Sequence, residues 1–286
     1  MSARTEVPDV TGRVVVVTGA ARGLGEGLAR RLAARGASVA LLDLRPERLT
    51  QVAAECGPNA AAWTVDVTDA ARLAEVAAEV AERFGRIDAV VTNAGLGGGG
   101  TLLQSDPAAY EAILHVNLFG SIRTTRAFLP YLMASRGHLM QIASLAAFTP
   151  APLMSAYCAS KSGVEAFAHS LRGEVAHHGV TVGVASLAFT DTDMVREVDA
   201  TAGVRELRAG MPWPFGHTFP AGPAIDRLLV GLTHRRVHVY GQPWLRLLPA
   251  VRGALPGLTA RAAGRQVPEA ESLLHAQTAA GAPTPG

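Results

Sequence analysis

The sequence predicts an α/β fold in which a doubly wound parallel sheet of about seven strands lies between two layers of helices. The first observation is that short β-branched or aliphatic runs alternate with helical segments rich in Ala, Leu, Arg and Glu. Continuous apolar strands of this kind indicate a parallel sheet that is covered on both faces. The second is composition: 49% of the 286 residues are hydrophobic and 17% are charged. Such a chain can fill a large core, which argues against disorder.

The predicted elements follow one another in a regular order. Strand 13–18 (RVVVVT) precedes a helix over 24–35, and strand 38–43 (SVALLD) precedes a helix over 46–55. The later strands are predicted at 61–65, 87–92, 138–143, 180–187 and 236–240, and the later helices at 69–84, 106–135, 155–177 and 221–234. The strand runs are β-branched or aliphatic, whereas the helical segments contain strong helix formers.

We expect one domain over residues 1–264, because no internal repeat and no linker divides the chain. Residues 189–220 interrupt the alternation with Gly, Pro and aromatic residues, and residues 241–264 are apolar and basic. Residues 265–286 are rich in Ala, Pro and Gly, which predicts a flexible tail.

Charge and cysteine content restrict the expected partners and location. The formal net charge is +2 and no basic block occurs, so no nucleic-acid surface is predicted. Cys56 and Cys158 are too few for a disulfide framework or a zinc site, and the nine histidines suggest no metal site. Residues 1–10 are polar, and no apolar run is long enough for a membrane span. We expect a cytoplasmic protein without a metal.

A glycine-rich loop, TGAARGLGEG at 18–27, follows the first strand and leads into a helix. In that context the pattern is typical of dinucleotide binding. Gly19 permits a tight turn, Gly23 lets the backbone approach a pyrophosphate, and Gly25 allows close packing of helix on strand. Free N–H groups at the helix N-terminus would then bind the anion.

Asp43 at the end of the second strand bears on which dinucleotide binds. A carboxylate there can accept hydrogen bonds from the adenosine ribose and would repel a 2′-phosphate, which favours NAD. Arg22 and Arg45 argue the other way, because guanidinium groups can bind that phosphate. We expect NAD, with NADP as the alternative.

The chain contains a single lysine, Lys161, among its 26 basic residues, and it follows Tyr157 by four positions in a predicted helix. The two side chains therefore lie on one face, one turn apart. A phenol has a pKa near 10, and a neighbouring ammonium can lower it toward the range of a proton donor. An arginine could not replace a compact ammonium that also binds a ribose.

Two further polar residues fall in the same region of the predicted fold. Ser144 ends a strand, and the carboxyl ends of parallel strands open onto the ligand crevice. Asn117 lies within a predicted helix, where asparagine is mildly unfavourable, which suggests a specific role.

Together these residues resemble the short-chain dehydrogenase/reductase family over about residues 10–240, which implies a Rossmann-like fold. TGAARGLG matches the family's TGxxxGxG loop, DV at Asp66 and Val67 its adenine contact, and NAG from Asn93 its fourth-strand signature. The resemblance implies a catalytic tetrad of Asn117, Ser144, Tyr157 and Lys161. The cofactor-binding residues it implies are Gly19, Ala21, Arg22, Gly23, Leu24, Gly25, Asp43, Leu44, Asp66, Val67, Asn93, Ala94, Gly95, Tyr157, Lys161 and Thr192.

The resemblance also implies a mechanism for reducing a ketone or aldehyde to an alcohol with NAD(P)H. Ser144 would donate a hydrogen bond to the carbonyl, and Tyr157 would supply the proton as hydride arrives from the cofactor. Lys161 would bind the nicotinamide ribose and lower the pKa of Tyr157, and Asn117 would support a water through which the proton is replaced. Oxidation of an alcohol reverses these steps.

The loop after the sixth strand departs from the family pattern, because Leu187 and Ala188 stand where a Pro-Gly pair is usual. This difference leaves open a rearrangement, cyclisation or dehydration at the same site. A further alternative is a non-catalytic dinucleotide-binding regulator, against which the intact tetrad argues. Residues 189–220, called the lid below, would cover a hydrophobic substrate. The candidate substrate contacts are Ser144, Leu145, Leu187, Ala188, Met194 and Trp213.

The apolar and basic segment 241–264 allows two kinds of contact. It could lie on an anionic membrane surface, but Pro249 and Pro256 interrupt any long helix. We therefore expect it to pack against protein, over the pocket or in a subunit interface. The resemblance implies a homodimer or homotetramer.

Overall fold

The structure, a computed structural model, describes residues 9–279 and contains one sheet of seven parallel strands. In the described residues the strands are β1 (Val14–Thr18), β2 (Ser38–Asp43), β3 (Ala60–Thr64), β4 (Ala89–Thr92), β5 (His138–Ile142), β6 (Thr181–Ser186) and β7 (His238–Tyr240). Their order across the sheet is β3-β2-β1-β4-β5-β6-β7. The α/β doubly wound fold is confirmed.

The helices of the described residues connect these strands and continue beyond them. They are α1 (Gly23–Ala33), α2 (Pro46–Cys56), α3 (Ala70–Phe84), α4 (Pro107–Leu114), α5 (Ser121–Ser135), α6 (Ser155–Val175), α7 (Asp193–Asp199), α8 (Ala202–Ala209), α9 (Ala221–Thr233), α10 (Leu248–Val251), α11 (Leu255–Ala263) and α12 (Val267–Ala279). None of the helices in this part of the chain is long and apolar enough to cross a membrane.

The valines of β1 show how the sheet acquires a core on each face. Successive strand residues point to opposite faces. Val15 and Val17 accordingly pack in a cluster with Leu28 of α1, whereas Val16 packs with Val76 of α3 and residues of α5 and α6. Because both faces are covered, β1 is apolar along its whole length, as expected for a buried parallel strand.

The position at which the strand order reverses determines where a ligand can bind. Val15 of β1 pairs with Val39 of β2 on one side and with Ala89 of β4 on the other. The chain winds outward in both directions from this pair, so the loops after β1 and β4 diverge to opposite faces. A crevice therefore opens at the carboxyl ends of these two strands.

The long helix predicted over 106–135 is divided in the structure. A turn of π-helix, His115–Gly120, separates α4 from α5 and contains Asn117. The Asn117 side chain is fully buried, and it bonds the backbone of Leu96 and the hydroxyl of Ser160. The widened turn occurs where the side chain makes these contacts, and π-helical turns are frequent at functional sites.

The C-terminal region differs from the flexible tail predicted from residue 265. Residues Val267–Ala279 form α12, in which Ala270 and Leu274 are buried against α8. These two residues are four apart and share one helical face, a pattern that the overall Ala, Pro and Gly content concealed. Residues 1–8 of the predicted domain and 280–286 of the predicted tail lie outside the described residues.

His138, the first residue of β5, should make the stability of the protein depend on pH. Its ring is buried, Nδ1 is hydrogen-bonded to Thr181 Oγ1 at 2.8 Å, and Nε2 has no partner among the described residues. Burial, and then the charge of Arg235, lower the imidazole pKa from 6.5 to about 4. In the unfolded chain His138 is protonated below about pH 6.5, whereas in the folded protein it is protonated only below about pH 4. The free energy of unfolding should therefore fall as the pH drops through this window, by about 3 kcal/mol in total.

Urea unfolding of the wild type and of His138→Gln at pH 7 and pH 4.5 measures this contribution. We expect His138→Gln to lose less stability than the wild type on acidification, because glutamine does not titrate. The matched control is His178→Gln, which replaces an exposed histidine and should keep the wild-type pH dependence. Equal losses in the wild type and His138→Gln would contradict the assignment.

Candidate active site

Two adjoining cavities lie at the carboxyl ends of the strands. The first, of about 360 Å³, is a groove along the loops that follow β1, β2 and β4. The second, of about 380 Å³, lies between the end of β5, α6, the lid and the C-terminal helices. Leu24, Asn93, Thr192 and Met194 line both cavities. The two cavities therefore adjoin each other.

The glycine-rich loop forms one wall of the groove, and its conformation excludes side chains. Gly19 has φ +65°, and a Cβ there would lie 2.8 Å from Ala94 Cα. A Cβ on Gly25 would lie 2.2 Å from the carbonyl oxygen of Gly19. The loop therefore passes close to the segment after β4, and α1 begins at Gly23 with its N-terminus toward the groove. This is the geometry of a site for a phosphate group.

The segment after β4 holds the loop in place. The Nδ2 atom of Asn93 donates to the carbonyl oxygens of Thr18 at 2.9 Å and Gly19 at 3.1 Å. The Thr18 hydroxyl accepts hydrogen bonds from the backbone N–H groups of Asn93 and Ala94. Asn93 thus supports the loop as well as lining the groove.

Asp43 lies buried at the end of β2 with both carboxylate oxygens engaged. Oδ2 accepts from the N–H of Ala21 at 3.1 Å and Oδ1 from the N–H of Arg45 at 3.1 Å. The guanidinium of Arg45 lies 3.6 Å from Oδ1. The other predicted cation, Arg22, is paired with Glu197 of α7. Both arginines that could bind a 2′-phosphate therefore already have carboxylate partners.

Ser144 and Tyr157 meet in the wall of the second cavity. Both side chains line the cavity. Burial raises the pKa of the Tyr157 phenol, and the neighbouring Ser144 hydroxyl opposes this by lowering it. The Ser144 hydroxyl also accepts from the N–H of Ala146 at 3.1 Å, which fixes its orientation.

Lys161 lies one turn further along α6 and is buried. Its Nζ donates to the carbonyl oxygen of Ile142 at 3.0 Å and lies 5.8 Å from the centre of the Tyr157 ring. Burial lowers the pKa of Lys161 to about 8. The lowering of the Tyr157 pKa by Lys161 stays a prediction; in this structure burial is the largest cause and raises the pKa of the phenol.

Asn117 does not line either cavity. Its Nδ2 donates to Leu96 O and to Ser160 Oγ, both at 3.0 Å, and its Oδ1 accepts from Leu96 N at 2.8 Å. Ser160 Oγ donates in turn to the carbonyl oxygen of Tyr157 at 2.8 Å. Within this structure Asn117 thus joins the loop after β4 to the turn of α6 that carries Tyr157.

The remaining predicted contacts divide between the cavities and their supports. Ser144, Leu145, Leu187, Ala188 and Met194 line the second cavity. Trp213 does not: its side chain is 79% exposed, although Met211, Pro212 and Phe215 around it line the cavity. Ala21 and Gly25 support the loop from behind. The predicted residues that line the groove are Gly19, Arg22, Gly23, Leu24, Asp43, Leu44, Asp66, Val67, Asn93, Ala94, Gly95 and Thr192.

Gln242 is a buried residue of the site that the sequence did not indicate. It follows β7, and its Oε1 accepts from the N–H of Ala188 at 2.8 Å while its Nε2 donates to Thr190 Oγ1 at 3.2 Å. Leu187 and Ala188, which replace the Pro-Gly pair, are also buried. The amide of Gln242 thus holds the loop that connects β6 to the lid.

Replacing Gln242 with leucine should destabilise the protein by about 1–3 kcal/mol, because the buried N–H of Ala188 loses its acceptor. Urea unfolding of Gln242→Leu measures the change. Gln51→Leu is the matched control, since Gln51 is exposed on α2 and bonds only Glu55 among the described residues. A loss no larger than that of the control would contradict this role.

The family model for short chain dehydrogenases matches residues 13–203, more than half of the chain. Among curated relatives, the 2,3-dihydro-2,3-dihydroxybenzoate dehydrogenase of Bacillus subtilis is 34% identical over 189 residues, which is 65% of this chain and 72% of that protein.

Solved structures agree with this family. A metagenomic short-chain oxidoreductase in complex with NADP is 36% identical, with a TM-score of 0.60 over 64% of this chain and 86% of that one. A short-chain dehydrogenase/reductase from Burkholderia phymatum in complex with NAD has a TM-score of 0.75 over 86% of this chain and 93% of that one, at 24% identity. At that identity the second similarity bears on the fold alone.

Proposed function

Because the chain belongs to the short-chain dehydrogenase/reductase family, we propose that it interconverts a secondary alcohol and a ketone, or an aldehyde, on a hydrophobic small molecule. One observation carries the proposal. Ser144, Tyr157 and Lys161 converge on an apolar cavity that adjoins a groove suited to a dinucleotide. Neither a binding module nor a structural protein needs a hydroxyl, a phenol and a buried ammonium at that junction.

The residues of the groove fit a nicotinamide dinucleotide, which supplies or accepts a hydride when bound. The N–H groups at the start of α1 would bind its pyrophosphate. Gly19 and Gly25 allow the loop to adopt the close-packed conformation that this requires, because neither residue has a side chain. Asp43 would accept from the adenosine ribose, and Asp66 and Val67 would lie beside the adenine.

Tyr157 would donate its proton to the substrate oxygen in the reductive direction. Ser144 would donate a hydrogen bond to the same oxygen and hold it against the phenol. A general acid must lie within hydrogen-bond reach of the oxygen that it protonates, and the cavity allows this approach. In the oxidative direction Tyr157 would remove the proton from the alcohol.

Lys161 would act in the proton transfer through its position beside Tyr157. An ammonium has three N–H donors, and one of those on Lys161 bonds Ile142. The others make no hydrogen bond with the described residues, which leaves them for the ribose of the cofactor. A positive charge there would also favour the phenolate once the cofactor has displaced water from the site.

We favour NAD over NADP for this chain. Asp43 would repel a 2′-phosphate, and the carboxylates of Asp43 and Glu197 neutralise Arg45 and Arg22. Binding of NADH and NADPH to the free protein, measured by calorimetry, tests this preference. Tighter binding of NADPH would contradict it.

The second cavity favours a substrate without a charged group. Lys161, at the catalytic end, is the only charged side chain of the described residues that lines it. The substrate named for the Bacillus subtilis relative is a benzoate, and among residues 9–279 no cationic side chain lines the far end of this cavity to pair with a carboxylate. We therefore propose a neutral, hydrophobic alcohol or ketone.

Absorbance at 340 nm tests the proposed activity directly. NAD and NADP are each offered with hydrophobic secondary alcohols, and NADH and NADPH with the corresponding ketones. We expect turnover with neutral apolar substrates and none with their carboxylate analogues. Cofactor binding without turnover across the panel would instead support the rearrangement or regulator alternatives.

A further inference from the structure

The second cavity has a wall that lies outside residues 13–203, the part that the family model matches. Helix α11, together with Gln266 three residues beyond its end, supplies this wall. The residues that line the cavity are Leu255, Leu258, Thr259, Ala262, Ala263 and Gln266. Their spacing of three and four places them on a single helical face. The helix therefore presents a continuous, mostly apolar stripe to the space in front of Ser144 and Tyr157.

This stripe is poorly covered by the protein itself. Leu255 is the one buried residue of α11, whereas Leu258 is 58% exposed. An amphipathic helix normally buries its apolar face against a core. Here the apolar face borders the cavity, so an apolar ligand could pack against it. Binding would be stabilised by the apolar surface of the helix and the ligand that is removed from water.

The region before α11 anchors it to the body of the protein. Leu245 and Leu248 are buried in a cluster with Phe148 and Ala188. Arg252 donates to the buried carboxylate of Glu165 at 2.7 Å. The N-terminal end of α11 is therefore fixed beside the loop that carries the catalytic serine.

The region after α11 anchors it to the lid. Ala270 and Leu274 of α12 pack against Val204 and Leu207 of α8. Gln277 accepts from the N–H of Ala202 at 2.8 Å, which ties α12 to the start of α8. Helix α11 thus spans the cavity between two fixed ends, which distinguishes it from a loosely attached terminus.

We propose that the stripe on α11 binds the apolar body of the substrate and sets the size of the ketone or alcohol that the site accepts. This inference rests on the proposed function and extends it. The substrate would be a neutral molecule whose carbonyl or hydroxyl group meets Ser144 and Tyr157. Its hydrocarbon body would be wide enough to contact Leu258, as in a fused-ring ketone.

The test compares two substitutions on α11 in protein that carries Tyr157→Phe and is saturated with NAD, which has no hydride to give, so that the ketone probe is not reduced. The probe is 2-decalone, a neutral fused-ring ketone, and its Kd is measured by calorimetry. Leu258→Gln places a polar group on the cavity face, and we expect at least tenfold weaker binding. Ala260→Gln introduces the same side chain at an exposed position that does not line the cavity, and we expect less than a twofold change. Because both residues are exposed, neither substitution disturbs a packed core.

Hydrogen exchange provides a second measurement that does not depend on turnover. We expect 2-decalone to slow exchange in residues 255–266 and to leave α4 unchanged. Equal affinities of Leu258→Gln and its parent, unchanged exchange at 255–266, or no binding of 2-decalone would each overturn the inference. Failure of the proposed function has a different signature, since wild-type protein would then bind 2-decalone and NADH without turnover at 340 nm.

Discussion

Tyr157→Phe should lower kcat by a factor of about 10² to 10⁴, the range that a positioned general acid or base contributes. Phenylalanine keeps the ring in the wall of the cavity and removes only the hydroxyl that meets Ser144. The proton on the substrate oxygen would then have to come from water, which the apolar cavity largely excludes. The measurement is the change of absorbance at 340 nm under saturating cofactor and substrate.

The control for this prediction removes the same atom from another tyrosine. Tyr131 packs at the edge of the core cluster between the sheet and α5, away from both cavities. Tyr131→Phe should keep the wild-type kcat. Affinity for NADH, measured by calorimetry, should change less than threefold in Tyr157→Phe, because the contacts of the groove remain. If Tyr157→Phe kept more than a tenth of the wild-type kcat, Tyr157 would not be the proton donor.

The sheet was predictable because its signals are local. The apolar runs of β1 and β2 are continuous, since each strand is covered on both faces by helices. The position of Ser144 followed from the same logic, because the carboxyl ends of parallel strands meet at one edge. Tyr157 and Lys161 share a helical face by their spacing alone. These features require no knowledge of which strands are neighbours.

Other features of the site depend on long-range packing and could not be predicted in this way. Gln242 acts on Ala188 only because β7 pairs with β6. Trp213 belongs to an apolar lid, but whether a large side chain faces in or out depends on packing that its sequence neighbours do not reveal. Segment 241–264 was expected to pack against protein, but the sequence predicted neither α11 nor the cavity that this helix borders.

The balance between Lys161 and Tyr157 also depends on burial, which the sequence does not contain. Four-residue spacing correctly predicted that the two side chains lie on one face. It did not predict that desolvation would lower the pKa of the lysine and raise that of the tyrosine. Both shifts disfavour the charged forms in an apolar wall. A bound cofactor would therefore matter for this pair, since its ribose would offer the ammonium a hydrogen-bond partner.

Affinity for NADH should weaken as the pH rises through about 8, because Lys161 loses its positive charge there. The folded site lowers the lysine pKa from 10.5 to about 8, so the ammonium is present below that pH and absent above it. A ligand that requires the ammonium binds in competition with loss of the proton. Above pH 8 its Kd should rise by a factor that approaches tenfold for each pH unit.

Two substitutions at Lys161 separate its charge from its shape. In Lys161→Met the affinity for NADH should be weak and should not change between pH 7 and pH 9.5, because no charge titrates. Lys161→Arg keeps the charge throughout this range, yet its broad planar guanidinium must replace a compact ammonium in a buried position beside Gly95. We expect its affinity to be independent of pH and its kcat/KM to fall by a factor of about 10² or more, since misplacement by about 1 Å can cost that much.

A pH dependence in the variants equal to that of the wild type would show that another group controls binding. Wild-type activity in Lys161→Arg would show that the site needs only a positive charge. Catalysis would then not explain why the single lysine among the 26 basic residues lies at this position.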